Sequence, residues 1–183
     1  MDWKIILKKL ERAKNWDVAI EFMEQVVKDN PEDVEVYIFI QYLLMNLLVE
    51  EFYDDSKHDY YALLTKKYFD EGYAKFYNNA EYLYYTAKTA VMSEWYFDIE
   101  REDYEKMFEK ALQFDPNNLL YQDCYYINLD TSIVENKQAV TAYAKKFTSK
   151  DSPIKQILVS KGAIGEYILE IMTCHWKETI SGA

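Results

Sequence analysis

Apolar positions along the chain recur at helical rather than strand periods. Ala19, Phe22, Met23, Val26 and Val27 stand at i, i+3, i+4, i+7 and i+8, one face of a helix. Tyr104, Met107, Phe108, Ala111 and Leu112 reproduce that template at an offset of 85 residues. Each run is followed four residues later by a proline, Pro31 and Pro116, preceded by Asn30 and Asp115. Proline cannot continue a helix interior but starts the next helix well, so each marks a helix–helix joint. The stretch from Val36 to Val49 holds no charge and reads as a buried helix. The pattern predicts helices over 2–14, 17–29, 32–53, 58–77, 80–97, 102–114, 118–129, 137–149 and 154–179, the last breaking around Gly162 to Gly165. No run of strict alternation is long enough for a strand. Four glycines and three prolines are too few for the tight turns of an all-β fold. The expected fold is all-α, built of antiparallel helix hairpins in an array or an irregular bundle.

The first template has an upstream echo as well, since Ile6, Leu7 and Leu10 correspond to Val91, Met92 and Trp95. A helix–turn–helix unit is therefore predicted at 3–30 and again at 88–115. A weaker copy lies at Tyr68, Phe69, Gly72 and Tyr73, closed by Asn78-Asn79, and a fourth at Ala139, Ala142, Tyr143 and Phe147. The steps between copies are irregular, which leaves a degenerate solenoid and an ordinary bundle both open. No low-complexity linker divides the chain. It is read as one domain, 1–183, with units near 2–30, 32–77, 80–115 and 118–150 and a C-terminal helix at 154–179. Trp3, Ile6, Leu10, Ala19, Met23, Val26 and Pro31 sit at the signature spacing of a tetratricopeptide repeat, and Val91, Trp95, Phe108, Ala111 and Pro116 do so again. The chain thus resembles that family over about a third of its length strongly. Leu7, Met92 and Tyr104 are bulky where the family prefers small residues. The resemblance implies a scaffold for protein binding and says nothing of chemistry.

Charge narrows the classes further. The 183 residues carry a net charge of −11, which argues against a binder of nucleic-acid phosphates. Apolar residues make up 50%, too many for simple disorder. Ile5-Ile6-Leu7, embedded among charges, is too short for a signal-peptide core, and Val36–Val49 is too short to span a membrane. Two cysteines, Cys124 and Cys174, cannot form a disulfide framework. The expectation is a soluble cytoplasmic protein that engages neither membrane nor nucleic acid directly.

Catalytic candidates are sparse. The two histidines are His58 and His175. Cys174-His175 are sequence neighbours, so on a helix they point about 100° apart and form no nucleophile–base pair. Glu51, Asp55 and His58 share a helical face if the helix through Val49 continues past Tyr53, yet no second such motif completes a metal cage. There is no Gly-rich phosphate loop. No catalytic residue, metal or cofactor is expected.

The charged residues are unevenly placed. Residues 17–35 hold Asp17, Glu21, Glu24, Asp29, Glu32, Asp33 and Glu35 against Lys28, and residues 94–109 hold Glu94, Asp98, Glu100, Glu102, Asp103, Glu105 and Glu109 against Arg101 and Lys106. Lys137, Lys145, Lys146, Lys150, Lys155 and Lys161 make a later stretch basic. Such runs ordinarily solvate a face, but they also steer a partner of opposite charge. Tyrosine occurs 18 times, with the adjacent pairs Tyr60-Tyr61, Tyr84-Tyr85 and Tyr125-Tyr126. Two neighbours on one helix are not expected to point into the core together, so some rings should reach the surface, where tyrosine is a frequent anchor. The expected partner-binding set is Glu94, Tyr96, Asp98, Glu102, Glu105, Tyr82 and Tyr85. The expected function is a non-catalytic clamp for a basic protein, in a class that resembles bacterial toxin-immunity proteins, which often block a basic nuclease. The alternatives are a repeat-type secretion chaperone and, in another class, a small hydrolase or metal-dependent enzyme using His58 or His175.

Overall fold

The computed structural model describes residues 2–181, and every regular element among them is helical. Ten α-helices run over Trp3–Arg12 (α1), Trp16–Asp29 (α2), Val34–Glu50 (α3), His58–Phe76 (α4), Ala80–Ala90 (α5), Arg101–Phe114 (α6), Asp123–Ile127 (α7), Val134–Thr148 (α8), Pro153–Ser160 (α9) and Gly162–Ser181 (α10). Two 3₁₀ turns, Asp55–Lys57 and Glu94–Phe97, precede α4 and α6. The fold class is all-α. The chain packs as two compact units, one ending at Phe114 and one beginning at Asp115.

In the N-terminal unit α1 packs on α2, α3 on α4 and α5 on α6, so that consecutive helices form hairpins, while α2–α3 and α3–α5 contacts join the pairs. Local chemistry sets the joints. Asp2 caps α1 by accepting from the Lys4 amide at 3.0 Å, Asp33 caps α3 through the Glu35 amide at 2.9 Å, and Asn79 caps α5 through the Tyr82 amide at 2.9 Å. Pro31 lies in the turn between Asn30 and Asp33, after α2 has ended. Both templates, on α2 and α6, turn their apolar face inward: Ala19, Met23, Val26 and Val27 are buried, as are Met107 and Ala111. The upstream half of the second copy is not a helix. α5 stops at Ala90, residues 91–93 turn, and Trp95 points to water in the 3₁₀ segment. α3 likewise ends at Glu50, short of Tyr53.

α3 and α5 are covered on nearly every side. Val36 through Met45 are all buried, and α5 is buried from Tyr82 through Ala87. Tyr84 and Tyr85 are 0% and 1% exposed, which overturns the expectation that one ring of such a pair must reach solvent. That expectation presumes a wet face, and a helix lying between α3 and α6 has none. A polar knot holds α3, α4 and α5 together. The Gln41 amide donates to the Tyr68 carbonyl and to Tyr82 Oη, both at 2.9 Å, and its oxygen accepts from the Thr86 hydroxyl at 3.0 Å. Tyr82 in turn donates to the Phe69 carbonyl at 3.3 Å, and the phenol is pushed up by burial.

In the C-terminal unit α10 packs on α8 and α9. Its core centres on Trp176, which is fully buried and donates from Nε1 to Asp123 at 2.9 Å. Tyr143 stands edge-on to that ring at 5.1 Å and donates to the Leu119 carbonyl at 2.8 Å. α9 and α10 break at Gly162, whose φ of 61° is costly for any residue with a side chain. Gly165 then lets α10 approach α9 so closely that a Cβ there would stand 1.8 Å from the Leu158 carbonyl oxygen.

Candidate functional site

The two acidic stretches behave differently once folded. Most of the first is occupied within the protein. Asp17 accepts from Lys57 at 2.5 Å and from Tyr61 at 2.6 Å, Glu24 from Tyr68 at 3.0 Å, Glu32 from Lys75 at 3.0 Å and Glu35 from Lys4 at 2.6 Å. The Lys57 and Tyr61 hydrogen bonds hold the Asp17 carboxyl below the usual carboxylate range. Burial, and then the bond to Asp17, push the Tyr61 phenol up. The second stretch is largely free. Arg101 pairs with Glu105 at 2.7 Å, and Asp103 accepts from the Glu100 amide at 3.1 Å. Glu94, Asp98, Glu102 and Glu109 make no side-chain hydrogen bond or ion pair among the described residues.

Beside these free acids the surface is concave. Asp59, Ala62, Leu63 and Lys66 of α4 face Trp95 and Tyr96 of the 3₁₀ turn before α6, and Asp98 just after it, across an open groove of about 470 Å³. Leu63 is 71% exposed and Trp95 66%. The α4 residues are spaced at i, i+3, i+4 and i+7, one stripe of that helix. Phe97 anchors the opposite wall: it is fully buried and stacks on Phe69 at a centroid distance of 4.7 Å. Asp98 then adopts a left-handed conformation (φ 57°, ψ 47°), with its amide donating to the Trp95 carbonyl at 3.1 Å. Aspartate tolerates that region better than most residues. The turn therefore buries Phe97 and presents Trp95 and Asp98 outward.

His58 ties this wall to the start of α4. Its Nδ1 lies 2.6 Å from Tyr53 Oη and its Nε2 3.5 Å from Tyr96 Oη. Burial pushes the Tyr53 phenol up. Both imidazole nitrogens thus face phenols, and Glu51 is drawn off to Lys14 at 2.7 Å. Because α3 ends at Glu50, Glu51, Asp55 and His58 do not share one helical face. Among the described residues no three His, Cys, Asp or Glu side chains are placed to hold a metal ion. In the C-terminal unit neither Cys124 nor Cys174 is in a disulfide, and His175 packs edge-on against Trp176 at 4.5 Å. His175 borders a groove of about 410 Å³ with Lys137, Thr141 and Glu178.

Of the expected partner-binding residues, Tyr96 and Asp98 line the groove, while Glu94 is partly exposed on the turn that forms its wall. Glu102 and Glu105 are exposed on the first turns of α6, Glu105 held by Arg101. Tyr82 and Tyr85 are not at the surface. They lie inside α5's packing against its neighbours, so a partner meeting the folded unit touches neither ring. Sequence reasoning missed Leu63, Trp95 and Asp59. Trp95 matched a repeat core position, and Leu63 precedes the buried Leu64 in an apolar doublet, a pattern of which one helical face buries only one member. Among the described residues no helix is long and apolar enough to cross a membrane. No protein-family model matches the chain, and neither a curated protein nor a solved structure matches it at a significant level.

Proposed function

We propose that the chain is a non-catalytic protein-binding module that docks a basic protein on its N-terminal unit. The observation that carries this reading is the pairing of a water-exposed Leu63–Trp95 groove with free carboxylates on its rim. Asp59 and Asp98 line that groove, and Glu94 and Glu102 lie in the adjoining turn and the start of α6. An exposed apolar groove marks an interaction site, and unpaired charge beside it steers a partner of opposite sign. The consecutive hairpins of α1 to α6 supply a rigid support of the kind that tetratricopeptide-like arrays use for protein binding. The specific form we favour is an immunity protein that neutralises a basic toxin domain in the bacterial cytoplasm.

The test is recovery of a basic protein that co-purifies with this chain, whose association is then followed by stopped flow at rising salt. The expected result is a tight complex whose association rate falls with ionic strength. The triple variant Glu94→Lys, Asp98→Lys, Glu102→Lys should slow association by at least ~10-fold at low salt, as loss of electrostatic steering does. An association rate indifferent to both salt and charge reversal refutes the docking assignment.

A further inference from the structure

The groove's walls specify a side chain. Leu63 and Trp95 are left in water although burial of a large apolar side chain is worth ~1.5–3 kcal/mol. A carboxylate comes from each wall, Asp59 from α4 and Asp98 from the turn, and neither accepts a side-chain hydrogen bond among the described residues. The one cation lining the groove, Lys66, is engaged elsewhere. Its Nζ donates to both oxygens of Asp70, at 2.5 and 2.6 Å. The space is thus apolar along its length, aromatic on one wall and anionic on both.

The geometry assigns this groove to an arginine side chain of the basic partner. The aliphatic stem lies along Ala62 and Leu63, the guanidinium covers the Trp95 ring, and its N–H groups reach Asp59 and Asp98. Arginine suits the site better than lysine for three reasons: its head is planar, it is weakly hydrated, and it carries donors on more than one edge. It therefore stacks on an aromatic face and still meets two carboxylates, whereas a compact ammonium keeps its water. This inference rests on the binding-module reading and narrows it to one residue type at one place.

The probe is a blocked pentapeptide with one central arginine among alanines, compared with its lysine and citrulline counterparts. Citrulline keeps the shape and loses the charge. Each is titrated into the full ¹⁵N-labelled chain while the indole N–H of Trp95, identified with Trp95→Phe, and the backbone amide of Asp98 are followed by NMR. Saturable shifts at both signals are expected, with arginine at least ~5-fold tighter than citrulline and ~3-fold tighter than lysine. The Asp59→Asn, Asp98→Asn double variant should weaken arginine by ~10-fold and leave citrulline unchanged, its far-ultraviolet spectrum reporting an intact fold. Absent saturation at Trp95 and Asp98, or citrulline binding as tightly as arginine, overturns the assignment. The two readings fail separately. If the complex with the basic protein weakens when Glu102 is reversed but ignores Leu63→Ala with Asp59→Asn, the arginine seat is overturned and the module stands. If the peptide saturates the groove but no basic protein binds, the seat stands and the module falls.

Discussion

Replacing Gly72 by alanine tests how rigid the support beneath the groove is. A Cβ at that position of α4 would stand 2.7 Å from Tyr82 Oη and 2.9 Å from Gln41 Nε2, well inside contact distance. Neither atom can step back without loss. Gln41 Nε2 already serves the Tyr68 carbonyl and Tyr82, its oxygen serves Thr86, and Tyr82 serves the Phe69 carbonyl. Displacing the knot breaks at least one buried hydrogen bond, about 1–3 kcal/mol. Overpacking adds about 1–3 kcal/mol of strain. Alanine recovers about 1 kcal/mol of helix propensity over glycine. The net expectation is a destabilisation of about 3 kcal/mol for Gly72→Ala, the middle of those ranges.

Urea unfolding followed by far-ultraviolet circular dichroism reads this as a midpoint lowered by about 1–3 M at the slopes usual for small proteins. The companion variant Tyr82→Phe removes the nearest clashing atom. In that background Gly72→Ala should cost roughly half as much, because the two changes share a partner and do not add. A Gly72→Ala protein as stable as the parent, or a penalty identical in both backgrounds, would show that the knot yields and that the reasoning from its hydrogen bonds is wrong.

The Asp17 clasp gives a pH signature. The Lys57 and Tyr61 hydrogen bonds hold its carboxyl below the ordinary aspartate value, so its contribution to stability is complete above that ordinary value and is lost as pH falls through the lower folded value. The stability gap between the parent and Asp17→Asn should be flat at neutral pH and close only in acid, and a gap that closes on going alkaline instead contradicts the assignment. Gly165→Ala forces a Cβ against the Leu158 carbonyl, and backbone cannot rotate aside, so the α9–α10 junction should lose at least ~3 kcal/mol, measured by hydrogen exchange of the α9 amides. Asp123→Leu strands the Trp176 indole N–H and should cost about 1–3 kcal/mol, whereas Asp123→Asn retains an acceptor and should cost clearly less in the same unfolding assay.

Most of the helices are legible in the chain because they carry a local signal of their own. The α2 and α6 stripes, the charge-free stretch from Val36 to Val49 in α3 and the glycine break before α10 all follow from residues within one element. What local pattern misses is decided by distant partners. Val91 to Trp95 scans as a helix, yet Phe97 gains a stack on Phe69 only if the chain leaves the helix after Ala90. Tyr84 and Tyr85 read as a half-wet pair because nothing within α5 says that neighbouring helices cover it on opposite sides. The acidic stretches look alike in sequence, and only folding brings Lys57 and Tyr61 to Asp17 while leaving Asp98 and Glu102 free. Three of these departures meet in one groove. Trp95 obeys a core pattern and is exposed, Leu63 is the outward member of a leucine pair, and Asp98 sits in a left-handed conformation that glycine would hold with less strain. Comparable departures occur elsewhere, Phe52 being 96% exposed and Lys14 also left-handed, so what marks this groove is that exposed apolar side chains meet carboxylates from both of its walls. Departures that meet in one concave place are the ones a binding function can offset.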